Sequence, residues 1–319
     1  MSKKKVLICG ATGFIGRNLL EALVKNSNWE LLGTFHKRLP FIDKRIKWIK
    51  ADLTRLKDVK KLLKGVDIVI QAAATTSGVK DIVTRPYIHV TDNALMNSLL
   101  FRSAHEAKVL HFIFFSCSIM YSSSSTPIKE TAFKDDTNID PVYFGAGWTK
   151  VYLEKMAEFF SGISPTRYTV IRHSNIYGPY DNFDLEHSHV FGASITKLFH
   201  CTNGEITIWG DGSEQRDLLY ISDLVDFVQL AIEKQDTPFC RLNVGYGSSI
   251  SISELINKMI KISGKKIITK HDLSKPTIPT RIALNCAEAK RLFGWEPKVA
   301  LDDGIRKTMD WYKSNILIP

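Results

Sequence analysis

Three glycines near the N-terminus have the spacing of a phosphate-binding turn. Gly10, Gly13 and Gly16 follow the apolar run Val6–Ile8 and precede a helical stretch that begins at Arg17. Glycine lets the backbone approach a pyrophosphate, and free N–H groups at a helix N-terminus attract its negative charge. Glycines that serve helix packing alone are the alternative. The pattern predicts a dinucleotide-binding turn, which also includes Thr12, Phe14 and Ile15.

The residues after the second predicted strand bear on the type of dinucleotide. An acidic residue there would accept hydrogen bonds from both ribose hydroxyls of NAD(H). This chain has His36, Lys37 and Arg38 instead, which favours the 2′-phosphate of NADP(H). A solvated basic loop is the alternative, and it would leave NAD(H) as the cofactor.

Two further strand ends carry residues suited to a dinucleotide. Asp52, followed by Leu53, comes after the third predicted strand, where a carboxylate can accept the adenine amino group. Ala72, Ala73 and Ala74 follow the fourth strand and would let the backbone approach the cofactor, although a merely packed strand end explains them as well.

The elements that position these residues alternate between short apolar strands and amphipathic helices. Strands are predicted at 6–9, 29–35, 46–49, 66–70, 111–116 and 168–171, with helices at 18–25, 93–107 and 148–161. Such alternation indicates an α/β fold with a doubly wound parallel (Rossmann) sheet, which binds ligands at the carboxyl ends of its strands.

The pattern changes after residue 174. Pro and Gly become denser, the segments shorten, and the end of the chain, 287–312, is helical with a break at 294–297. We therefore expect residues 1–174 to form the dinucleotide-binding domain and residues 175–319 to form mainly a smaller α/β substrate lobe. A return of the chain to the first domain stays open.

Composition narrows the class of protein. The 319 residues are 44% hydrophobic and 24% charged, which is ordinary for a globular protein. Five scattered cysteines without a CxxC pair suggest neither disulfides nor a metal site. No apolar run approaches the roughly 20 residues of a membrane span, and the start does not resemble a signal peptide, so a cytoplasmic location is expected.

The net charge of +10 suggests an anionic ligand. Because the cations look spread along the chain, a phosphorylated small molecule is the simpler interpretation. Neither a nucleic acid nor a membrane is expected as a partner.

Taken together, the motifs resemble those of the extended short-chain dehydrogenases that modify nucleotide sugars, over essentially the whole chain. The segments that carry this resemblance are the glycine turn, Asp52-Leu53, Ala72–Ala74, Asn93, Ser116–Tyr121, Asn175–Pro179 and Arg216-Asp217. Later segments are similar to GDP-L-fucose synthases, namely Tyr177–Phe183, Ser188–Val190 and Ser274–Pro276. The resemblance implies a nicotinamide cofactor, a cofactor contact at Asn93, and a homodimer or homotetramer.

The chain departs from this family at the catalytic pair. The family uses a Tyr-x-x-x-Lys pair on one helix face, in which the lysine binds the nicotinamide ribose and the phenol moves a proton. Lys150 is present, but Ala146 stands where the tyrosine belongs. Cys117 similarly replaces a serine or threonine. Three explanations are open for the alanine. The enzyme uses another group as its proton carrier, the protein is a natural binder without catalytic activity, or the alanine is an engineered replacement.

Several side chains remain as candidates for proton transfer beside Lys150. Tyr143 is seven residues away, on the same helical face, although Gly145 and Gly147 argue against a continuous helix there. The other candidates are Cys117, Ser118 and His189, the last of which resembles the family's general acid.

The resemblance also implies a set of residues for the nucleotide sugar. Arg216 would fork onto the diphosphate, since guanidinium suits bidentate contacts, and Trp209 offers a face for the base. The remaining candidates for substrate binding are Asn175, His189, Lys275 and Arg281.

These features favour an NAD(P)-dependent oxidoreductase that acts at C4 of a GDP-linked hexose or heptose in surface polysaccharide synthesis. GDP-heptose 4-dehydrogenases look like relatives that also lack the tyrosine, so a 4-dehydrogenase is the leading interpretation. The alternative is a 4-keto-sugar reductase or 3,5-epimerase–reductase like the fucose synthases. A catalytically inactive dinucleotide-binding scaffold is the third possibility.

Overall fold

A seven-stranded parallel sheet forms the centre of the molecule. The computed structural model describes residues 3–75, 85, 87–134, 136–185, 187–275 and 277–317. The strands lie in the order β10-β6-β5-β4-β1-β2-β3. Their bounds are β1 Lys4–Cys9, β2 Trp29–Phe35, β3 Ile46–Lys50, β4 Ile68–Gln71, β5 His111–Phe115, β6 Arg167–His173 and β10 Phe239–Val244.

The central strands are apolar along their whole length because helices cover both faces of the sheet. Val6 and Ile8 of β1 pack into one core layer, and Leu7 and Cys9 pack into the other. The first layer includes residues of α1 Phe14–Leu23 and α6 Ile221–Lys234. Three helices contribute to the second layer, α2 Leu56–Leu62, α3 Ile88–Glu106 and α4 Phe144–Ile163.

A second group of strands lies beyond the carboxyl end of β6. A four-stranded sheet contains β7 Asn175–Tyr177, β9 Gln215–Tyr220, β11 Ser249–Ser251 and β13 Arg281–Ile282. A separate pair contains β8 Glu205–Trp209 and β12 Ile268–Asp272. The helices that follow residue 175, apart from α6, are α5 Val190–His200, α7 Ile252–Ser263, α8 Ala287–Phe293 and α9 Leu301–Asn315.

The chain after residue 175 serves both parts of the molecule. Strand β10 pairs with β6 in the main sheet, and α6 packs on the same core layer as α1. A single cut at residue 175 therefore does not separate all contacts of the main sheet from those of the smaller sheets. The assignment of two functional domains stays a prediction.

The predicted fold class, an α/β fold with a doubly wound parallel sheet, is confirmed. The observed helices α3 and α4 begin several residues before their predicted starts. The argument against a continuous helix at Gly145 and Gly147 was wrong, since α4 begins at Phe144 and contains both. A Cβ at Gly145 would lie 2.8 Å from Cγ2 of Val90, so close helix packing explains that glycine. No helix in the described ranges is both long and apolar enough for a bilayer span.

One histidine is fully buried in the main sheet. His111 begins β5 and is 0% exposed, and its Nε2 lies 2.7 Å from Oγ1 of Thr169. Its Nδ1 has no hydrogen-bond partner among the described residues. Burial, together with the positive charge of Arg167, lowers the pKa of His111 to about 3. The imidazole is therefore neutral in the folded protein at neutral pH.

We predict that the fold loses stability as the pH falls below the ordinary histidine pKa of about 6.5. Between that pH and the folded-state pKa of about 3, the unfolded chain binds a proton that the buried imidazole refuses. The free energy of unfolding should then drop by roughly 1.4 kcal/mol per pH unit on account of His111.

Urea unfolding of the parent and of His111→Gln from pH 7 to pH 4 measures this slope. His111→Gln should show the shallower dependence, whereas His271→Gln, on an exposed residue of β12, should keep the parental one. Identical slopes in all three proteins would contradict the assignment.

Candidate functional site

The glycine turn follows β1 at the point where the sheet order reverses. Gly10 has φ +70°, and a Cβ on it would lie 2.6 Å from Cα of Ala73. A Cβ on Gly16 would lie 2.3 Å from the carbonyl oxygen of Gly10. These two glycines are therefore required by the packing of the turn itself. Gly13 is exposed and would meet only the Gly10 oxygen, at 3.2 Å, so its surface is open toward a ligand.

Hydrogen bonds from β2 hold this turn in place. Oγ1 of Thr34 accepts the Gly10 N–H at 3.0 Å, and the Thr34 carbonyl accepts the Ala11 N–H at 3.1 Å. Gly13 is the N-cap of α1 and supplies no side-chain cap, which leaves N–H groups of the first turn without a side-chain acceptor. The turn therefore fits a pyrophosphate. Sequence reasoning missed Thr34, although a hydroxyl residue near the end of β2 was visible.

The residues predicted to contact the adenosine half of the cofactor follow strands β2 and β3. His36, Lys37 and Arg38 are all exposed. The Asp52 carboxylate accepts the N–H of Thr54 at 3.0 Å and its hydroxyl at 2.6 Å, and these bonds lower the pKa of Asp52. That carboxylate is therefore charged and organises its own turn.

Asn93 lies beneath the segment that follows β4. Its Oδ1 accepts the N–H of Thr75 at 3.0 Å, and its Nδ2 donates to the carbonyls of Thr75 and His89 at 2.9 Å each. The predicted cofactor contact at Asn93 would therefore act through the Ala72–Thr75 backbone that it holds.

Lys150 on α4 points at the carboxyl end of β5. Its Nζ donates to the carbonyl of Phe115 at 2.7 Å. Burial lowers the pKa of Lys150, an effect opposed by Cys117 and Glu154. Burial raises the pKa of the Cys117 thiol, and the nearby Lys150 charge partly offsets this. The structure thus brings Lys150 and Cys117 together, with the thiol protonated at neutral pH.

Tyr143 is the N-cap residue of α4, with φ −102° and ψ 2°, so it lies just outside the helix. Its ring packs with Cys117 against the small core cluster of Met120 and Val151. Burial raises the pKa of the Tyr143 phenol, and the charge of Arg216 opposes this rise. The phenol therefore lies near both the thiol and the guanidinium, and it is protonated at neutral pH.

Two histidines lie near these cations, His173 near Lys150 and His189 near Arg216. His173 ends β6, where its Nδ1 lies 2.7 Å from the carbonyl oxygen of Ser174. Burial lowers its pKa to about 4, the hydrogen bond with Ser174 opposes this effect, and the charge of Lys150 lowers the pKa further. His189 is exposed, yet the surrounding protein and Arg216 lower its pKa as well. Both imidazoles are neutral at pH 7. Sequence reasoning missed His173, because this residue belongs to none of the motifs named above.

A buried ionic network fixes α4 one turn beyond Lys150. Glu154 is 1% exposed and bonds to Arg172 of β6, with Nη2 and Oε2 2.6 Å apart. Glu154 also accepts the Ser116 hydroxyl at 2.6 Å, and Arg172 donates to the Tyr121 hydroxyl at 2.8 Å. Burial alone would lower the pKa of Arg172, but the Glu154 carboxylate raises it above its ordinary value.

Arg216 on β9 is occupied by a neighbouring loop. Its Nη1 donates to the carbonyl of Thr280 at 3.1 Å and to the Thr280 hydroxyl at 2.8 Å, and its Nη2 donates to the carbonyl of Ile278 at 3.1 Å. The guanidinium thus ties β9 to the loop before β13. These bonds engage both terminal nitrogens of the guanidinium.

The other predicted substrate residues are spread over the second lobe. Trp209 is 42% exposed, and Nζ of Lys275 lies 5.8 Å from its ring, as does Nζ of Lys197 at 5.7 Å. Asn175 and Arg281 are exposed, whereas Ser118, a candidate for proton transfer next to Cys117 in the sequence, is buried. Nδ2 of Asn175 bonds only weakly, at 3.3 Å, to the carbonyl of Asp217.

Comparison with known proteins finds relatives along almost the whole chain. The chain is 29% identical to the GDP-L-colitose synthase of Yersinia pseudotuberculosis over 97% of both chains. It is 27% identical to the GDP-L-fucose synthase of Azorhizobium caulinodans, over 97% of this chain and 96% of that protein. A solved UDP-glucuronic acid 4-epimerase of Bacillus cereus, in complex with UDP-glucuronic acid and NAD, is 27% identical, with a TM-score of 0.82 over 97% of this chain and 99% of that one.

The model of the NAD dependent epimerase/dehydratase family matches residues 6–245, which include the glycine turn, Lys150, His173 and Arg216. The matched span covers the main sheet except for the first two residues of β1, and most of the candidate site. The chain is therefore a member of the NAD dependent epimerase/dehydratase family.

Proposed function

We propose that this chain transfers hydride at C4 of a GDP-linked 4-keto sugar, as a reductase or epimerase–reductase like the GDP-L-fucose synthases. The relatives named GDP-L-fucose and GDP-L-colitose synthase favour this alternative over the 4-dehydrogenase. The observation that carries the proposal is the cluster at the carboxyl ends of β5 and β6. Protonated Tyr143 and Cys117 lie there with neutral His173 and with Lys150.

The cofactor is held by residues that fit it. A bound nicotinamide dinucleotide supplies or accepts the hydride. The turn around Gly13 would receive its pyrophosphate, and Lys150 would position the nicotinamide ribose. NAD is the cofactor named in the Bacillus cereus epimerase complex, whereas the exposed segment His36-Lys37-Arg38 favours NADP. The preference between the two stays a prediction, and binding of each decides it.

The protonation states suit the reduction of a ketone. The high pKa values of Tyr143 and Cys117 keep both groups protonated, so either can donate a proton to the sugar oxygen. The cation Lys150 stabilises negative charge that develops on that oxygen. Tyr143 is the stronger candidate, since its side chain carries the same phenol that is missing at Ala146.

The neutral imidazoles suit proton removal from carbon. A lowered pKa keeps His173 and His189 unprotonated at pH 7, which is the state that an acceptor needs. Epimerisation beside a ketone requires such an acceptor, and His189 lies at the solvent-facing side with Arg216 next to it. An inactive scaffold would not need this combination of proton donors and proton acceptors.

The 4-dehydrogenase remains the second candidate because of Ala146. Oxidation of an alcohol to a ketone needs only a modest base, and the neutral His173 provides one. An enzyme limited to this half-reaction can lack the phenol. Two assays distinguish the directions of hydride transfer. One contains reduced cofactor and a GDP-4-keto-hexose, and the other contains oxidised cofactor and a GDP-hexose or GDP-heptose. In both, the absorbance of the reduced nicotinamide is followed.

The oligomer and location are proposed by analogy. Helices α3 and α4 pack side by side and expose Leu95, Tyr152 and Phe159, which are 48%, 59% and 60% accessible. A second copy covering this face would give the expected homodimer, and sedimentation velocity at micromolar concentration distinguishes it from a monomer. A cytoplasmic location and a role in surface polysaccharide synthesis also stay predictions.

We predict that Gly13→Val abolishes dinucleotide binding without unfolding the protein. The valine side chain would occupy the surface left open for the pyrophosphate, whereas its Cβ meets only one atom of the turn. Gly162→Val is the matched control, since a Cβ at Gly162 meets nothing within 4 Å. Calorimetric titration with NADH and NADPH measures both variants. Binding by Gly13→Val as tight as the parent's would refute the cofactor site.

We predict that Tyr143→Phe lowers turnover by about 10²-fold or more, because it removes a positioned proton donor. Tyr152→Phe, on the exposed face of α4, should keep parental turnover. Ala146→Tyr should leave turnover unchanged or lower, since Tyr143 already supplies the phenol. A gain of about 10²–10⁴-fold in Ala146→Tyr would instead show that the position lacks its proton carrier.

We predict that GDP binds more tightly than UDP and that Arg216→Ala weakens GDP by about 1.5–3 kcal/mol, the range for hydrogen bonds to charged groups. Arg216→Lys should lose nearly as much, because an ammonium cannot make the bidentate contact. Arg306→Ala, on an exposed ion pair with Asp303, is the control. Equal GDP affinity in all of these proteins would remove Arg216 from the substrate site.

A further inference from the structure

The positive charge of this protein is concentrated in one short segment. Residues 37–64 contain eleven Lys and Arg against three Asp, a net charge of +8 out of +10 for the whole chain. All eleven cations are exposed. The cations are spread along the chain, but their excess over acidic residues is not, and this local excess needs an explanation.

These cations lie along one edge of the main sheet. Strand β3 is the last strand in the sheet order, the loop 36–45 precedes it, and α2 follows it. Only three of the eleven cations form ion pairs within the described part of the chain, namely Arg45 with Asp43, Arg55 with Asp52 and Lys60 with Glu106. We call this surface the basic edge and define it by Lys44, Lys47, Lys50, Lys57, Lys61 and Lys64.

Two aliphatic side chains project from the same edge. Leu39 is 79% exposed and Ile42 is 97% exposed, in the loop that leads into β3. The loop is anchored by Phe41, whose ring lies 5.1 Å from that of Trp48 and 4.4 Å from the guanidinium of Arg17. The anchor holds the backbone while Leu39 and Ile42 remain in water, which is costly unless something covers them.

We propose that the basic edge docks on an anionic lipid bilayer, with Leu39 and Ile42 inserted at the headgroup level. Peripheral binding of this kind adds apolar insertion to the attraction between clustered cations and acidic lipids. It requires no membrane-spanning helix. This proposal replaces the expectation that no membrane takes part.

Other functions of these residues explain only part of the pattern. Lysines on an edge strand hinder pairing with another sheet, which accounts for Lys47 and Lys50 but not for the lysines of α2. A cofactor 2′-phosphate would use Lys37 and Arg38, at the start of the loop. A nucleic acid would match the charge, but single-stranded binding relies on exposed aromatic rings, and Phe41 is covered by Arg17.

Flotation of the full-length protein with vesicles tests the proposal. The probes are vesicles of phosphatidylcholine alone and of phosphatidylcholine mixed with phosphatidylglycerol, at low and high salt. We expect the parent to float only with the acidic vesicles, and high salt to release it. Failure of the parent to bind acidic vesicles at low salt would overturn the proposal.

Two double variants separate insertion from charge. Leu39→Ser with Ile42→Ser removes the aliphatic pair, and Lys47→Glu with Lys61→Glu reverses two charges outside the cofactor candidates. Each should reduce the bound fraction at least several-fold. The control Lys261→Glu with Lys266→Glu changes the net charge equally at exposed positions of another region, and Leu273→Ser removes another exposed aliphatic, 76% accessible. Both controls should bind as the parent does.

The pattern of losses identifies any other partner. If the charge variant loses binding while the aliphatic variant keeps it, and a single-stranded RNA competes equally well, the edge is a general polyanion site and the bilayer proposal is overturned. If the aliphatic variant changes only the sedimentation coefficient, the loop contacts a second copy instead. Thermal unfolding of each variant verifies that these exposed substitutions leave the fold intact.

Discussion

The buried pair of Arg172 and Glu154 is the interaction on which the site depends. It joins β6 to α4 in a place where neither charge has access to water, since both residues are about 1% exposed. Removing one partner of such a pair typically costs about 3–5 kcal/mol, because the other charge is left buried and unpaired. Ser116 at the end of β5 bonds to the same carboxylate, so three elements are fixed at one point. Lys150 lies one helical turn before Glu154, and the network thereby sets its reach to Phe115.

The environment around this network decides protonation by one physical rule. Burial disfavours whichever form carries charge, so it raises the pKa of Tyr143 and Cys117 and lowers that of His173. The fixed cations lower the pKa of the histidines further and hold the phenol's rise in check. Donors that keep their protons and imidazoles that stay neutral therefore lie side by side. The loss of the phenol at position 146 leaves this electrostatic arrangement intact.

The glycine turn and Arg216 each have a structural role beside the proposed role in ligand binding. Gly10 and Gly16 are needed because the turn passes within contact distance of its own backbone and of Ala73, whereas Gly13 alone is open toward a ligand. The guanidinium of Arg216 likewise donates hydrogen bonds to Thr280 and Ile278, and its charge acts on Tyr143 and His189. Residues that match a binding motif thus also hold the loops of the site together, and their substitution affects both functions.

The sequence by itself determined the fold class, the family and the position of the glycine turn. These depend on local features, because strand periodicity, the spacing of three glycines and strand-end residues are written in consecutive positions. It also singled out Lys150, Cys117 and Tyr143 as candidates, and their grouping in space was a prediction from the family resemblance. The continuity of α4 was predicted wrongly, since glycine propensity was outweighed by packing against Val90.

Only the tertiary structure decided which side chains meet. His173 belongs to no motif, and it reaches the site because β6 ends beside β5 and α4. Thr34 supports the glycine turn from 24 residues away, across the pairing of β1 with β2. The occupation of Arg216 by a loop more than 60 residues distant is equally invisible in the sequence. Composition gave the net charge, but the sheet order put β3 at the rim and so gathered that charge on one edge. Contacts between residues far apart in the chain depend on how strands are ordered and helices packed, and no local pattern encodes that order.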